Sequence, residues 1–145
     1  MTEVKFYNPD KIEAGKLTYS IIPAVYEGKW IFVRHRDRDT WEIAGGHIEK
    51  GESPDEAAKR ELSEETGAQE FRLHSISAYS VTKDGRTGYG RLYLAEVTGL
   101  GPIKDLTEIA EIILIDHLPG NLTYPDIQPV LFRRAVEYLE TVQRD

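Results

Sequence analysis

Apolar and polar residues change their spacing several times along the 145-residue chain, and each change marks an element. Residues 17–26 are mostly β-favouring and read as a strand, with Pro23 confined to an edge, a bulge or a strand end because proline cannot donate to a ladder. Glu27-Gly28-Lys29 reads as a hairpin connection to a returning strand over residues 29–34, whose apolar part is Trp30, Ile31, Phe32 and Val33. Residues 71–82 and 87–98 alternate as strands, and the Asp-Gly signal inside Lys83-Asp84-Gly85-Arg86 makes them a long hairpin. Gly99-Leu100-Gly101-Pro102 breaks that pattern, and residues 112–115 form a last short strand. Ile127, Leu131, Ala135, Leu139 and Val142 then fall at helical spacing, with Asp126 as a cap and Pro129 in the tolerated first turn.

One further helix lies between the two pairs of strands, and its start is written in the sequence. In Ser53-Pro54-Asp55-Glu56 the serine caps, the proline suits the first position, and the glutamate three residues on closes a capping box. The helix runs from Pro54 to near Thr66, where Gly67 is free to take the left-handed conformation that ends helices. At about 100° per residue, Glu61, Glu64 and Glu65 share an arc of roughly 100° on one face. Three like charges converging there repel, whereas a hard divalent cation with its demand for oxygen ligands turns that repulsion into attraction. Glu52, in the loop before the helix, reaches the same end of the site.

Gly46, Glu52, Arg60, Glu61, Leu62, Glu64, Glu65, Gly67 and Ala68 fill, without a gap, every fixed position of the pattern G-x5-E-x7-R-E-U-x-E-E-x-G-U, where U is aliphatic. The stretch resembles the Nudix box. That resemblance implies a hydrolase in which carboxylates hold Mg²⁺ or Mn²⁺ and water attacks one phosphorus of a diphosphate. It implies Gly46, Glu61, Glu64 and Glu65 at the metal, Arg60 orienting the carboxylates by ion pairing, and Glu52 supporting the site or assisting the water. In resembling proteins a late-loop glutamate supplies a further ligand or a base; Glu108 is the first candidate here and Glu111 the second. Arg34 and Arg36 follow a strand where family members often place phosphate-binding basic residues, and Asn121 stands where some carry a base-reading amide. His35 reads as a packed or surface histidine. One departure is local: the family often has Phe-Pro before the two glycines, and this chain has Ile43-Ala44.

The order of elements fits an α/β domain in which a mixed, mostly antiparallel sheet is sandwiched between helices, which is also the Nudix fold, and the length suits one domain over residues 1–145. Net charge is −7, and the box alone holds seven acids against three bases, so over half of the acidity is local. A basic stripe for duplex DNA or RNA is absent, which excludes nucleic acid as a polymer and leaves a small nucleotide to be met by metal and a few arginines. Zero cysteines exclude disulfides and thiolate zinc sites. The polar start MTEVKFYNPDK has no apolar signal core, so the expectation is a cytoplasmic, membrane-free monomer or homodimer. Tyr79, Tyr89 and Tyr93 on the hairpin are strand packing residues first and base-stacking surfaces second. As substrate, the family resemblance and the small size imply a nucleoside triphosphate, an oxidised purine one included, cut to monophosphate and pyrophosphate. ADP-ribose or a nucleotide sugar is the alternative, and a non-catalytic nucleotide sensor is the alternative of another class.

Overall fold

The computed structural model describes residues 1–144. Its elements run β1 (Thr2–Tyr7), a 3₁₀ turn (Ala14–Lys16), β2 (Tyr19–Ile21), β3 (Ala24–Tyr26), β4 (Lys29–His35), β5 (Gly45–His47), α1 (Pro54–Thr66), β6 (Ala68–Lys83), β7 (Arg86–Leu100), β8 (Ile109–Ile115) and α2 (Gln128–Arg144). One mixed sheet takes the order β1-β6-β7-β3-β4-β8, with β2 on β7 and β5 on β2. All its pairings are antiparallel except those of β2 and β3 with β7. Two strands, β1 and β5, lie where the sequence reading had none. No helix among the described residues is long and apolar enough to cross a membrane.

The sheet carries a helix on each face, and the alternation of β4 shows why. Ile31 and Val33 point to the side of α1, where Ala58 and Leu62 pack, while Trp30 and Phe32 point to the side of α2, against Leu131, Ala135 and Leu139. The helical stripe read from the sequence is therefore the α2 seam. That helix opens at Gln128, whose N–H donates to the Tyr124 carbonyl at 3.0 Å.

Pro23 does more than end a strand. It splits the expected 17–26 strand in two, because Ile22 turns its N–H to the Ala44 carbonyl and Pro23 has no N–H to give. Both halves still run beside β7, but β2 goes on to pair with β5 and β3 with β4. The sheet is thus forked, and the far end of β4 and the glycines of β5 stand on separate prongs.

Helix α1 lies across that fork. Its start has the full capping box: the Glu56 N–H donates to Ser53 Oγ at 3.1 Å, and the Ser53 N–H donates to Glu56 Oε1 at 2.9 Å. Ser20 Oγ donates to the Pro54 carbonyl and ties that end to β2. At the other end Gly67 takes φ +82° and lies against the backbone of Gly101 and Pro102, where any side chain would collide. The face that α1 presents to the fork is the one bearing the glutamates.

Candidate active site

A cleft of about 500 Å³ opens between the prongs, lined on one side by His35, Arg36, Arg38 and Glu42 and on the other by Gly45, Gly46 and His47. Glu61 and Glu65 of α1 form its floor, and Glu108 enters from the loop before β8. That loop is held by Asp105, whose Oδ1 accepts from Thr107 Oγ1 at 2.6 Å and from the Glu108 N–H at 3.3 Å, while the Glu108 carbonyl accepts the Arg36 N–H at 2.8 Å.

Arg60 organises the acids. Its Nε donates to Glu52 Oε2 at 2.7 Å and its Nη2 to Glu52 Oε1 at 3.0 Å, a two-pronged grip; its Nη1 reaches Glu61 at 2.8 Å and Glu64 at 3.4 Å. These bonds pull the Glu52 carboxyl down to about 2, the Glu49 N–H helping. Glu65 lies beyond Arg60's reach. Its side chain is 4% exposed, one oxygen accepts the Gly45 N–H at 3.1 Å, and the other faces His35 Nε2 at 3.8 Å, outside hydrogen-bond distance. Burial, with the charges of Glu61, Glu42 and Glu108 adding to it, pushes this carboxyl up to about 9. Glu61 is also raised, by burial first, although Arg60 opposes the shift. Gly46 is what lets Glu61 in, since a Cβ there would sit on the Glu61 carboxyl group.

Those facts test the fit of a divalent cation. An acid buried beside other acids, with an oxygen left unbonded, is a costly arrangement for a protein alone and a suitable one for a hard cation. Glu61 and Glu65, which line the cleft, would hold it; Glu64, 40% exposed and outside the lining, shares Arg60 with Glu61 on the same helix face, and Glu108 is in reach of the same space. His35, Glu65 and Glu108 offer ligand atoms within 4.8 Å of one another.

Other residues singled out from the sequence are placed as follows. Arg36 lines the cleft, although its Nε is also bonded to the Leu106 carbonyl. Arg34 does not line it. A bulge between Arg34 and His35 ends the simple alternation, and the Arg34 guanidinium is spent on Glu111 at 2.9 Å and the Arg38 carbonyl at 2.9 Å. Glu111 is thereby a partner of Arg34 on β8, leaving Glu108 as the late glutamate of the cleft. Asn121 lines neither this cleft nor its neighbouring cavity; its amide donates to the Asp39 carbonyl at 3.0 Å and its own carbonyl accepts the Trp41 N–H. Tyr93 is buried with its hydroxyl on Asp55, while Tyr79 and Tyr89 line an apolar cavity behind the cleft. The sequence reading missed the turn of His35 into the cleft, which depends on the bulge, and missed Arg38, which pairs with Glu42 at 2.7 Å beside the cleft and carries no motif.

Residues 17–130 match the family model described as the NUDIX domain, and the chain belongs to that family. Among curated relatives it is 35% identical over 98 residues to the Bacillus subtilis (strain 168) protein provisionally named 8-oxo-dGTP diphosphatase YtkD, an alignment covering 68% of this chain and 61% of that one. It is 31% identical over 109 residues to the ADP-ribose pyrophosphatase of the same organism, covering 68% and 59%. The alignments span 48 to 61% of the length of the curated relatives. Among solved structures, a mutant of the Bacillus subtilis pyrophosphohydrolase BsRppH shares the fold with TM-score 0.77 at 24% identity, over 94% of this chain and 92% of that one.

Two measurements check the site. A carboxyl raised on folding favours the protonated folded form, so its support is complete below about 4.5 and is lost as pH rises toward about 9; Glu52 acts in the opposite window, losing its support only as pH falls from about 4.5 to about 2. From about pH 5 to pH 8.5, cation-free protein should therefore lose thermal stability, and Mg²⁺ should restore it while releasing about one proton per ion in calorimetry near neutral pH. Flat stability and no proton release would remove Glu65 from the metal. In the second, Gly46→Ala, by displacing Glu61, should weaken Mg²⁺ binding by roughly 10- to 100-fold; undiminished affinity would separate Glu61 from the cation.

Proposed function

We propose that the protein is a divalent-metal-dependent pyrophosphohydrolase that converts a nucleoside triphosphate, oxidised purine forms included, to its monophosphate and pyrophosphate. The observation that carries this reading is the crowded carboxylate set on α1, with buried Glu65 facing a cleft that Arg36 and Arg38 also line. Those two arginines suit a polyanion, and the acids beneath them repel one unless a cation intervenes. When bound, Mg²⁺ or Mn²⁺ would neutralise the carboxylates and supply Lewis-acid chemistry toward a diphosphate and a water. The chain's own residues supply the frame. Arg60 keeps Glu52, Glu61 and Glu64 in place, the Gly45 N–H orients Glu65, and the Asp105 turn presents Glu108. His35 Nε2 and Glu108 are the groups placed to receive the proton that water gives up as its oxygen bonds to phosphorus and the pyrophosphate oxygen departs. The reading places the work in the cytoplasm, on a free nucleotide and not on a polymer.

A second reading is favoured by the likeness to an ADP-ribose pyrophosphatase. The acidic cleft addresses a diphosphate and is indifferent to what lies beyond it, so ADP-ribose or a nucleotide sugar would meet the same residues.

A panel of nucleotides incubated with Mg²⁺, scored for pyrophosphate, phosphate and sugar phosphate, decides between them. Triphosphates should yield monophosphate and pyrophosphate. Turnover of ADP-ribose or a nucleotide sugar with none of any triphosphate would transfer the assignment to the second reading, and tight nucleotide binding without turnover would make the protein a sensor.

A further inference from the structure

The loop between β7 and β8 runs along the C-terminal half of α1 and is fastened to it. The Gly101 N–H donates to the Gly67 carbonyl at 2.8 Å, Lys104 Nζ to Ser63 Oγ at 2.9 Å, and the Asp105 N–H to the Glu64 carbonyl at 3.1 Å. A helix leaves its last carbonyls without partners of their own, and the bond from Asp105 satisfies one of them.

From Asp105 the chain makes a single helical turn. Its Oδ1 accepts the Glu108 N–H at 3.3 Å, and its carbonyl accepts the Ile109 N–H at 2.9 Å. Asp105-Leu106-Thr107-Glu108 therefore has the sequence of a capping box, in which the glutamate carboxylate reaches back to the N–H of the capping residue. The box at the head of α1 is closed in that way, with Glu56 on the Ser53 N–H. The one at Asp105 is left open. Its N–H is already given to the Glu64 carbonyl, and the Glu108 carboxylate accepts no hydrogen bond among the described residues. Instead Glu108 lines the cleft, with an oxygen within 4.8 Å of ligand atoms of His35 and Glu65.

We infer that Asp105 is a positioning residue, which by docking its own N–H on α1 denies Glu108 a capping partner and so keeps that carboxylate in the cleft. Asp105 faces two ways. Its backbone fixes the turn to the helix that bears Glu61 and Glu65, and its side chain shapes the turn that aims Glu108, so all three acids take their places from one helix. Were the loop to leave α1, the freed N–H would take the Glu108 carboxylate, close the box and withdraw a charge from the cleft. That charge counts toward a divalent cation whether or not Glu108 touches the ion, because attraction to a double charge persists over such distances. The inference rests on the cation reading of the cleft given above and adds which residue aims Glu108.

Two measurements on the whole protein test it, and neither needs turnover. In amide hydrogen exchange of cation-free protein, the Asp105 amide should be protected, and equally so in wild type and in Glu108→Ala. No protection, or faster exchange of that amide in Glu108→Ala, would give the N–H another partner than Glu64 and overturn the inference. The second is Mg²⁺ affinity by calorimetry. Asp105→Ala should weaken binding roughly five- to tenfold, approaching the loss in Glu108→Ala itself. Asp105→Asn, which keeps Oδ1 as an acceptor, should stay within about twofold of wild type. In a Glu108→Ala background, Asp105→Ala should cost less than about twofold more, since it acts through Glu108; a merely structural loss would appear in both backgrounds alike. Equal losses in the two backgrounds, undiminished affinity in Asp105→Ala, or an Asp105→Asn protein as weak as Asp105→Ala overturns the inference and leaves the cation reading standing. A wild-type protein that binds no Mg²⁺ would sink the cation reading instead, and exchange at the Asp105 amide would then decide the inference alone.

Discussion

Mutual repulsion of carboxylates is the constraint on which the site depends. Glu61, Glu64 and Glu65 share one face of a 13-residue helix, Glu52 and Glu108 approach from loops, and a single guanidinium serves three of the five. Arg60 works where it can reach and leaves Glu65 alone in the dry part of the cleft. The gradient of exposure is informative: Glu65 is 4% exposed, Glu61 14% and Glu64 40%. Such a helix is poorly made for stability and well made for a ligand that brings positive charge. The capping box, the clamp of its C-terminal end against Gly101 and the bond from Ser20 offset that cost from outside the charged face.

The second requirement is a place for the charged face to look into, and the fork at Ile22–Pro23 provides it. A continuous ladder from residue 17 to residue 26 would have left no gap between the end of β4 and the glycines of β5. With the ladder split, α1 spans two prongs, His35 and Arg36 descend from one, and Gly45 and Gly46 approach the helix from the other. The same fork brings Tyr19 to the boundary between the acidic cleft and the apolar cavity under α2.

What was legible in the sequence follows from the range of the interactions involved. The helix from Pro54 to Thr66, its caps and the convergence of its glutamates rest on contacts within a few residues, and all are present. The long hairpin was legible because Asp84-Gly85 states its own turn, and the α2 seam because its period is helical. Each missing strand has its own reason: β1 gains its structure from β6, 71 to 81 residues away, and the three residues of β5 are too short for a pattern. Arg34 and His35 could not be assigned to faces without the bulge between them.

On this reading the glutamate face of α1 is a cation site and not a solvated acidic surface. Two glutamates of that helix separate the alternatives. Glu56 closes the capping box, is exposed, and points away from the cleft, whereas Glu64 belongs to the crowded face. Replacing each by glutamine removes the same charge and no volume. The decisive measurement pairs cation-free thermal stability with turnover at saturating Mg²⁺, using whichever nucleotide the wild-type protein cleaves fastest. Glu56→Gln should lose at most a fraction of the roughly 1 kcal/mol of a cap and keep most of its turnover. Glu64→Gln should be as stable as wild type or slightly more so, and yet lose activity by orders of magnitude. Equal losses of activity in the two variants, or an active Glu64→Gln protein, would contradict the account.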